Sequence, residues 1–137
     1  MAQRSVVLVY ADPLQASLDK SMRNIGQQWE QRAELFLVSQ GLSMVARNYL
    51  ASCGEIDLIM SDQSTLVFVE VRFRASRRFG GAINSVRRAK QEKLLKSAKR
   101  FLQLHPAWSA HPCRFDVIAY DAASSIDNPL WIKAAFA

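Results

Sequence analysis

Hydrophobic positions along this chain switch between two periods. Over residues 24–40, Trp29, Ala33, Phe36, Leu37 and Gln40 fall at i, i+4, i+7, i+8 and i+11, the single stripe of an amphipathic helix. Gly41 follows at the place where a helix C-terminus favours glycine. Residues 42–51 (LSMVARNYLA) read as a strand, which Cys53-Gly54 breaks. Two apolar runs, 56–60 and 65–73, then flank the polar turn Ser61-Asp62-Gln63-Ser64, a hairpin pattern. Residues 75–85, with paired glycines, form a loop. The helical period returns over 86–105, with the stripe Leu94, Leu95, Ala98, Phe101 and Leu102, and Pro106 stops it. Residues 113–120 (CRFDVIAY) alternate as a strand, and the apolar end PLWIKAAFA packs back as a short strand or cap. Residues 1–22, interrupted by Pro13, show no clear period and make an extension of uncertain order before one domain over 23–137. The order α-β-β-β-α-β predicts an α/β fold, a mixed sheet flanked by helices.

Acids stand where an ordinary hairpin would not put them. Side chains alternate faces along a strand, so Val67, Val69, Val71 and Phe73 share one face while Phe68, Glu70 and Arg72 share the other. On the preceding strand Glu55, Asp57 and Ile59 are expected opposite Ile56, Leu58 and Met60. Asp57 and Glu70 are enclosed in hydrophobic sequence, and a carboxylate there must be paired, hydrogen-bonded or bound to a metal. Glu30 lies beside the first helix stripe, where its plain role is a solvated flank residue. Extending the second helix stripe by one turn reaches Lys90, the basic residue of that helix with a claim to touch the sheet. Arg114 and Asp116 share a face of their strand and can pair with each other.

Charge sharpens the picture. The chain of 137 residues carries a net +6, but residues 71–100 alone hold eleven basic side chains and one acid, +10, against −4 for the remainder. Such a basic half favours a polyanion, or else is a solvated helix face. No apolar run reaches the roughly 18 residues that span a bilayer, so nucleic acid ranks ahead of lipid. Arg74, Arg77, Arg78, Arg87, Arg88 and Lys93 are the expected contacts to it. Cys53 and Cys113, sixty residues apart without a CxxC partner, read as free, partly buried thiols in a reducing cytoplasm.

Mg²⁺ or Mn²⁺ takes hard carboxylate oxygens, and phosphodiester hydrolysis needs a metal-acidified water with a cation to offset charge on the phosphorus centre. Asp57 and Glu70 are the expected metal ligands, with Glu30 as a third oxygen and Arg72 or Lys90 as the positive charge. The alternative is structural, with the acids simply paired to nearby arginines.

The spacing Asp57-(x12)-Glu70-x-Arg72 resembles the D…(D/E)xK pattern of the PD-(D/E)xK restriction-endonuclease-like superfamily. A closer resemblance spans residues 26–136: GQQWEQRAELFLVSQGL, GEIDLI, LVFVEVRFR, FGGAINSVRRAKQEKLLKSAKRFL, CRFDVIAY and WIKAAF are together similar to the YraN-like family of bacterial proteins, related in fold to archaeal Holliday-junction resolvases. The resemblance implies a restriction-endonuclease-like fold, Glu30 as the helix-borne acid, Asp57 and Glu70 as metal ligands, and Arg72 at the superfamily's lysine. Arginine keeps its proton, so Arg72 can stabilise a transition state but cannot act as a base. Three functions follow as expectations: a metal-dependent DNA endonuclease or structure-specific nuclease; a non-catalytic DNA- or RNA-binding protein on that scaffold; or a protein–protein module. DNA ranks ahead of RNA, and resolvase-like relatives suggest a homodimer.

Overall fold

A computed structural model describes residues 13–74, 86–121 and 128–136, with side chains described from residue 23 onward, Arg74 excepted. Its elements are α1 (Pro13–Ser39), β1 (Ser43–Ala51), β2 (Gly54–Asp62), β3 (Thr65–Arg74), α2 (Arg88–Leu104), a 3₁₀ turn (Pro106–Trp108), β4 (Cys113–Asp121) and β5 (Leu130–Phe136). The five strands form one sheet in the order β1-β2-β3-β4-β5. β3 and β4 are parallel and every other pair is antiparallel. A parallel pair needs a crossover, and α2 supplies it.

The two helices divide the core. Trp29, Ala33, Phe36 and Leu37 of α1 pack with Leu58, Met60, Val67, Val69, Ile118 and Tyr120 on one face of the sheet. Leu94, Ala98 and Phe101 of α2 pack with Ile56, Ile59, Leu66, Phe68, Phe115, Val117 and Ala119 on the other. Strands β3 and β4 therefore alternate as their sequences require. The mixed α/β architecture matches the expected order, and the apolar tail is a full strand.

Three local features differ from the periodic reading. Helix α1 starts at Pro13, eleven residues earlier than the stripe suggests. Proline is tolerated at the first helical position because that N–H has no intrahelical partner. At its other end, Gly41 (φ +96°) closes the helix: its N–H donates to Val38 O, and the N–H of Leu42 donates to Leu37 O, each at 3.0 Å. Leu42 is buried in the same cluster as Leu37, the apolar contact that accompanies this cap. Secondly, the β2–β3 ladder continues to the pair Asp62↔Thr65, so the hairpin turn is two residues long, with Gln63 at φ +55°. Thirdly, Ile56 lies in the α2-side cluster with Ile59, while Leu58 and Met60 face α1. Strict alternation, which placed Ile56 opposite Ile59, fails around Asp57.

The edge strands are irregular. Register slips between Met44 and Ala46 in β1 and between Phe115 and Val117 where β4 meets β5. Asn48 in β1 and Ala134 in β5 have φ of +48° and +50°.

A candidate metal-binding carboxylate site

The site forms where β2 and β3 separate. Their ladder ends at Leu58↔Val69, although β3 stays paired to β4 as far as Arg74↔Asp121. The next residues are Asp57 and Glu70. Asp57 Oδ2 accepts the N–H of Val71 at 2.9 Å, so a side chain replaces the missing rung of the ladder. That substitution turns the β2 backbone and explains the broken alternation. Gly54, where β2 begins, is tied to α2: Ser97 Oγ, fully buried, donates to Gly54 O and lies 3.3 Å from Cys53 Sγ. The start of β2 is thereby fixed on the α2 side.

Helix α1 brings in the third acid. Arg47 of β1 forks onto Glu34, with its Nη2 2.7 Å from Oε2, and one helical turn earlier Glu30 Oε2 accepts Asn48 Nδ2 at 2.7 Å. The same Asn48 amide donates to Glu55 Oε1 at 2.8 Å. Asn48 reaches both because it takes a left-handed backbone conformation, which asparagine tolerates better than most residues. Trp29 stacks on Phe73 (ring centroids 4.7 Å apart) and packs against Tyr120 (4.8 Å), which pins this end of α1 over the sheet. Glu30 is accordingly half-buried at the boundary and not a fully solvated flank residue.

Carboxylate oxygens of Glu30, Glu55 and Asp57 all lie within 4.8 Å of one another. Glu70 is 3% exposed. Its Oε1 is 2.5 Å from Lys90 Nζ and 3.6 Å from an Arg72 guanidinium nitrogen, and its Oε2 is buried with no hydrogen-bond partner among the described residues. Burial pushes the Asp57 carboxyl well above its ordinary range, and the negative charges of Glu70 and Glu30 push it further against the Val71 hydrogen bond and Lys90. Burial likewise raises Glu30, with Glu55 and Glu70 adding to the rise while hydrogen bonds to Asn48 and Asp57 oppose it. Like charges have been crowded into a partly dry site, an arrangement that stores affinity for a cation. The donor set is all carboxylate oxygen, and one buried oxygen lacks a partner. Both suit Mg²⁺ or Mn²⁺.

The structure brings together Glu30, Asp57, Glu70, Arg72 and Lys90, and Lys90 reaches the sheet from the first turn of α2 as the extended stripe requires. Glu55 and Asn48 join them, and neither was singled out as a site residue. Glu55 carried a signal, since it stands two residues before Asp57 on the same strand. Asn48 was signalled only by being an amide within a strand.

The basic surface begins beside this group. Arg87, Arg88 and Lys93 are exposed at the start of α2, and a cavity of about 330 Å³ lined by Gly54, Glu55, Arg87, Ala89, Lys90, Lys93 and Leu94 adjoins the acids through Glu55. Arg88 spends part of its charge on Glu92, 3.9 Å away. Arg77, Arg78 and the side chain of Arg74 lie outside the described residues. On the α1 side, a cavity of about 270 Å³ is lined by Gln27, Glu30, Gln31, Glu34, Arg47, Asn48 and Leu58.

Other features are structural. Asp116 is fully buried yet saturated. Arg114 Nε contacts both its oxygens at 3.0 and 3.2 Å, Trp131 Nε1 donates to Oδ2 and the N–H of Ala134 donates to Oδ1, each at 3.0 Å. Arg114 also bridges to Asp62 at 3.1 Å. The expected Arg114–Asp116 pair is thus present, and the bonds from Trp131 and Ala134 to Asp116 tie β5 onto β4. Cys53 and Cys113 are free thiols; Cys53 is partly buried as expected, but Cys113, at the start of β4, is exposed. Among the described residues no helix is long and apolar enough to cross a membrane.

Comparison with known sequences gives a consistent result. Residues 29–120 match the model of a family described as "Uncharacterised protein family UPF0102". Similar proteins include UPF0102 proteins of Pseudomonas syringae pv. syringae, 50% identical over 81% of this chain and 91% of the relative, and of Pseudomonas putida (strain GB-1), 47% identical with the same coverage. One from Nitrosococcus oceani is 45% identical over 83% of this chain and 92% of its own length.

Proposed function

The chain belongs to the UPF0102 family, the YraN-like family its motifs resemble, and from its carboxylate site we propose that it is a metal-dependent phosphodiesterase acting on nucleic acid, an endonuclease or structure-specific nuclease of the PD-(D/E)xK kind. The observation that carries this reading is the contrast between two buried acids. Asp116 has both oxygens satisfied, whereas Glu70 holds a buried Oε2 without a hydrogen-bond partner among the described residues, beside the Glu30–Asp57 pair. A purely structural carboxylate is expected to look like Asp116. Asp57 and Glu70 would hold Mg²⁺ or Mn²⁺, with Glu30 completing the set; when bound, the ion supplies Lewis acidity and an acidified water.

The chain's own side chains account for the rest. Lys90 and Arg72 lie on the Glu70 side, where they would offset the negative charge that builds on a phosphodiester under attack. Arg87 and Lys93 border the adjoining cavity and would hold flanking phosphates by charge alone. DNA is the preferred substrate in this reading and the cytoplasm its setting.

A second reading, a binding protein without turnover, draws on Arg72. Its guanidinium lies 3.6 Å from Glu70, and an arginine cannot serve as a base. Cleavage of labelled branched, single-stranded and duplex DNA and of structured RNA, with Mg²⁺ or Mn²⁺, decides between the two. Cutting by wild type and not by Glu70→Ala purified in parallel establishes the nuclease. Salt-sensitive binding without cutting by either favours the second reading, and equal cutting by both removes support for this site.

A further inference from the structure

The family pattern assigns the acids at Asp57 and Glu70 and the acid on α1, and leaves Glu55 without a role. We propose that Glu55 is a direct ligand of the same divalent cation, completing a Glu30–Glu55–Asp57 oxygen triangle that Asn48 holds ready. The inference rests on the nuclease reading for its substrate, but its evidence is the geometry of the acids.

Oxygens of these three residues lie within 4.8 Å of one another, inside the span that ligands of one divalent ion can cover at metal–oxygen distances of about 2.0–2.6 Å. Asn48 donates to one oxygen of Glu30 and one of Glu55, which holds both carboxylates in the cluster and leaves each with further lone pairs for a cation. Glu70 gives independent support. It is nearly fully buried, its charge acts on both Asp57 and Glu30, and its Oε2 has no partner among the described residues. Lys90 and Arg72 both pair with Glu70, so among the described residues no cation is ion-paired to the Glu30, Glu55 and Asp57 group. Glu55 is also the exposed member, and it lines the cavity that Arg87, Lys90 and Lys93 share. A cation held partly by Glu55 is open to water and phosphate on that side, whereas one held by Asp57 and Glu70 alone would sit deeper.

The test is Mn²⁺ binding to the full chain by isothermal titration, with Glu55→Gln, Glu55→Asp and, as a control on α2, Glu92→Gln. Glu55 is exposed and Gln retains the acceptor for Asn48, so the variants should melt within a few degrees of wild type. The expected result is that Glu55→Gln weakens Mn²⁺ at least about tenfold, Glu55→Asp weakens it less, and Glu92→Gln leaves it within about twofold. Binding by Glu55→Gln within about twofold of wild type overturns the proposal, even if Asp57→Asn abolishes binding and cleavage and the nuclease reading stands. Full restoration by Glu55→Asp also overturns it, because charge without reach would then suffice. Glu55-dependent Mn²⁺ binding by a protein that cuts no substrate upholds this inference while the nuclease reading falls.

Discussion

Lys90 Nζ meets Glu70 Oε1 at 2.5 Å, joining the first turn of α2 to the middle of β3. The pair is lopsided, since Lys90 remains 42% exposed while Glu70 is 3% exposed. Lys90 therefore loses little hydration, and Glu70 depends on it. Replacing Lys90 with Met leaves a buried carboxylate with Arg72 at 3.6 Å as its remaining ion pair among the described residues. We expect Lys90→Met to lower stability by about 1–3 kcal/mol in urea titrations and to reduce any cleavage rate by about a hundredfold or more. Lys90→Arg should recover most of the stability. Equal activity in Lys90→Met would remove Lys90 from the chemistry.

Asp57 pulls the other way. Its native carboxyl titrates above the unfolded value of about 3.8, so the native state binds more protons than the unfolded chain between those two values. Stability from this group is therefore greatest in acid and falls as pH rises through that window. Asp57→Asn keeps an acceptor for the Val71 N–H and removes the charge. In EDTA at pH 7–8 it should melt about 2–5 °C above wild type, with the difference closing as pH falls below the window. Added Mg²⁺ should raise the wild-type melting temperature and leave the variant unmoved.

Asp116 is the contrasting case. Removing it strands Trp131 Nε1 and the N–H of Ala134 in the β4–β5 seam and leaves Arg114 with Asp62 as its remaining ion pair among the described residues. Asp116→Ala should cost about 3–5 kcal/mol by denaturant unfolding. Whatever fraction folds should bind Mn²⁺ as wild type does, because the hydrogen-bond partners of Asp116 among the described residues, Arg114, Trp131 and Ala134, belong to the β4–β5 seam and not to the site.

Arg87 and Lys93 line the cavity beside Glu55, and in the proposed function they hold phosphates by charge alone. The double change Arg87→Gln, Lys93→Gln should weaken binding of all DNA sequences alike and flatten the log–log salt slope by about 2. A changed sequence preference with an unchanged slope would contradict the phosphate role.

Much of this could be read from periodicity. The stripe Trp29–Ala33–Leu37 located the buried side of α1, and the stripe through Leu94, Ala98 and Phe101, extended back one turn, predicted that Lys90 meets the sheet. Alternation in 113–120 paired Arg114 with Asp116. What stayed hidden depends on contacts between distant segments. The turn in β2 comes from Asp57 capping Val71, and a period-2 pattern has no term for a side chain bonding another strand's backbone. Asn48 is seven residues from Glu55 and eighteen from Glu30, and only the docking of α1 on β1 brings the three together. The first turns of α1 did carry a helical spacing, with Leu14, Leu18, Met22 and Ile25 at i, i+4, i+8 and i+11, and it was obscured because Pro13 reads as an interruption when it is in fact the first residue of the helix.

The left-handed turn at Asn48 has one more effect. β1 is an edge strand, and an edge with its amides and carbonyls in line is a template on which another chain can build a sheet. At Asn48, and at the register slip after Met44, β1 departs from that line, while Ala134 does the same on the opposite edge. Strand-on-strand growth would have to straighten Asn48, and that would release Glu30 and Glu55 from their shared amide. The residue that arranges the acids thereby also guards the sheet against aggregation.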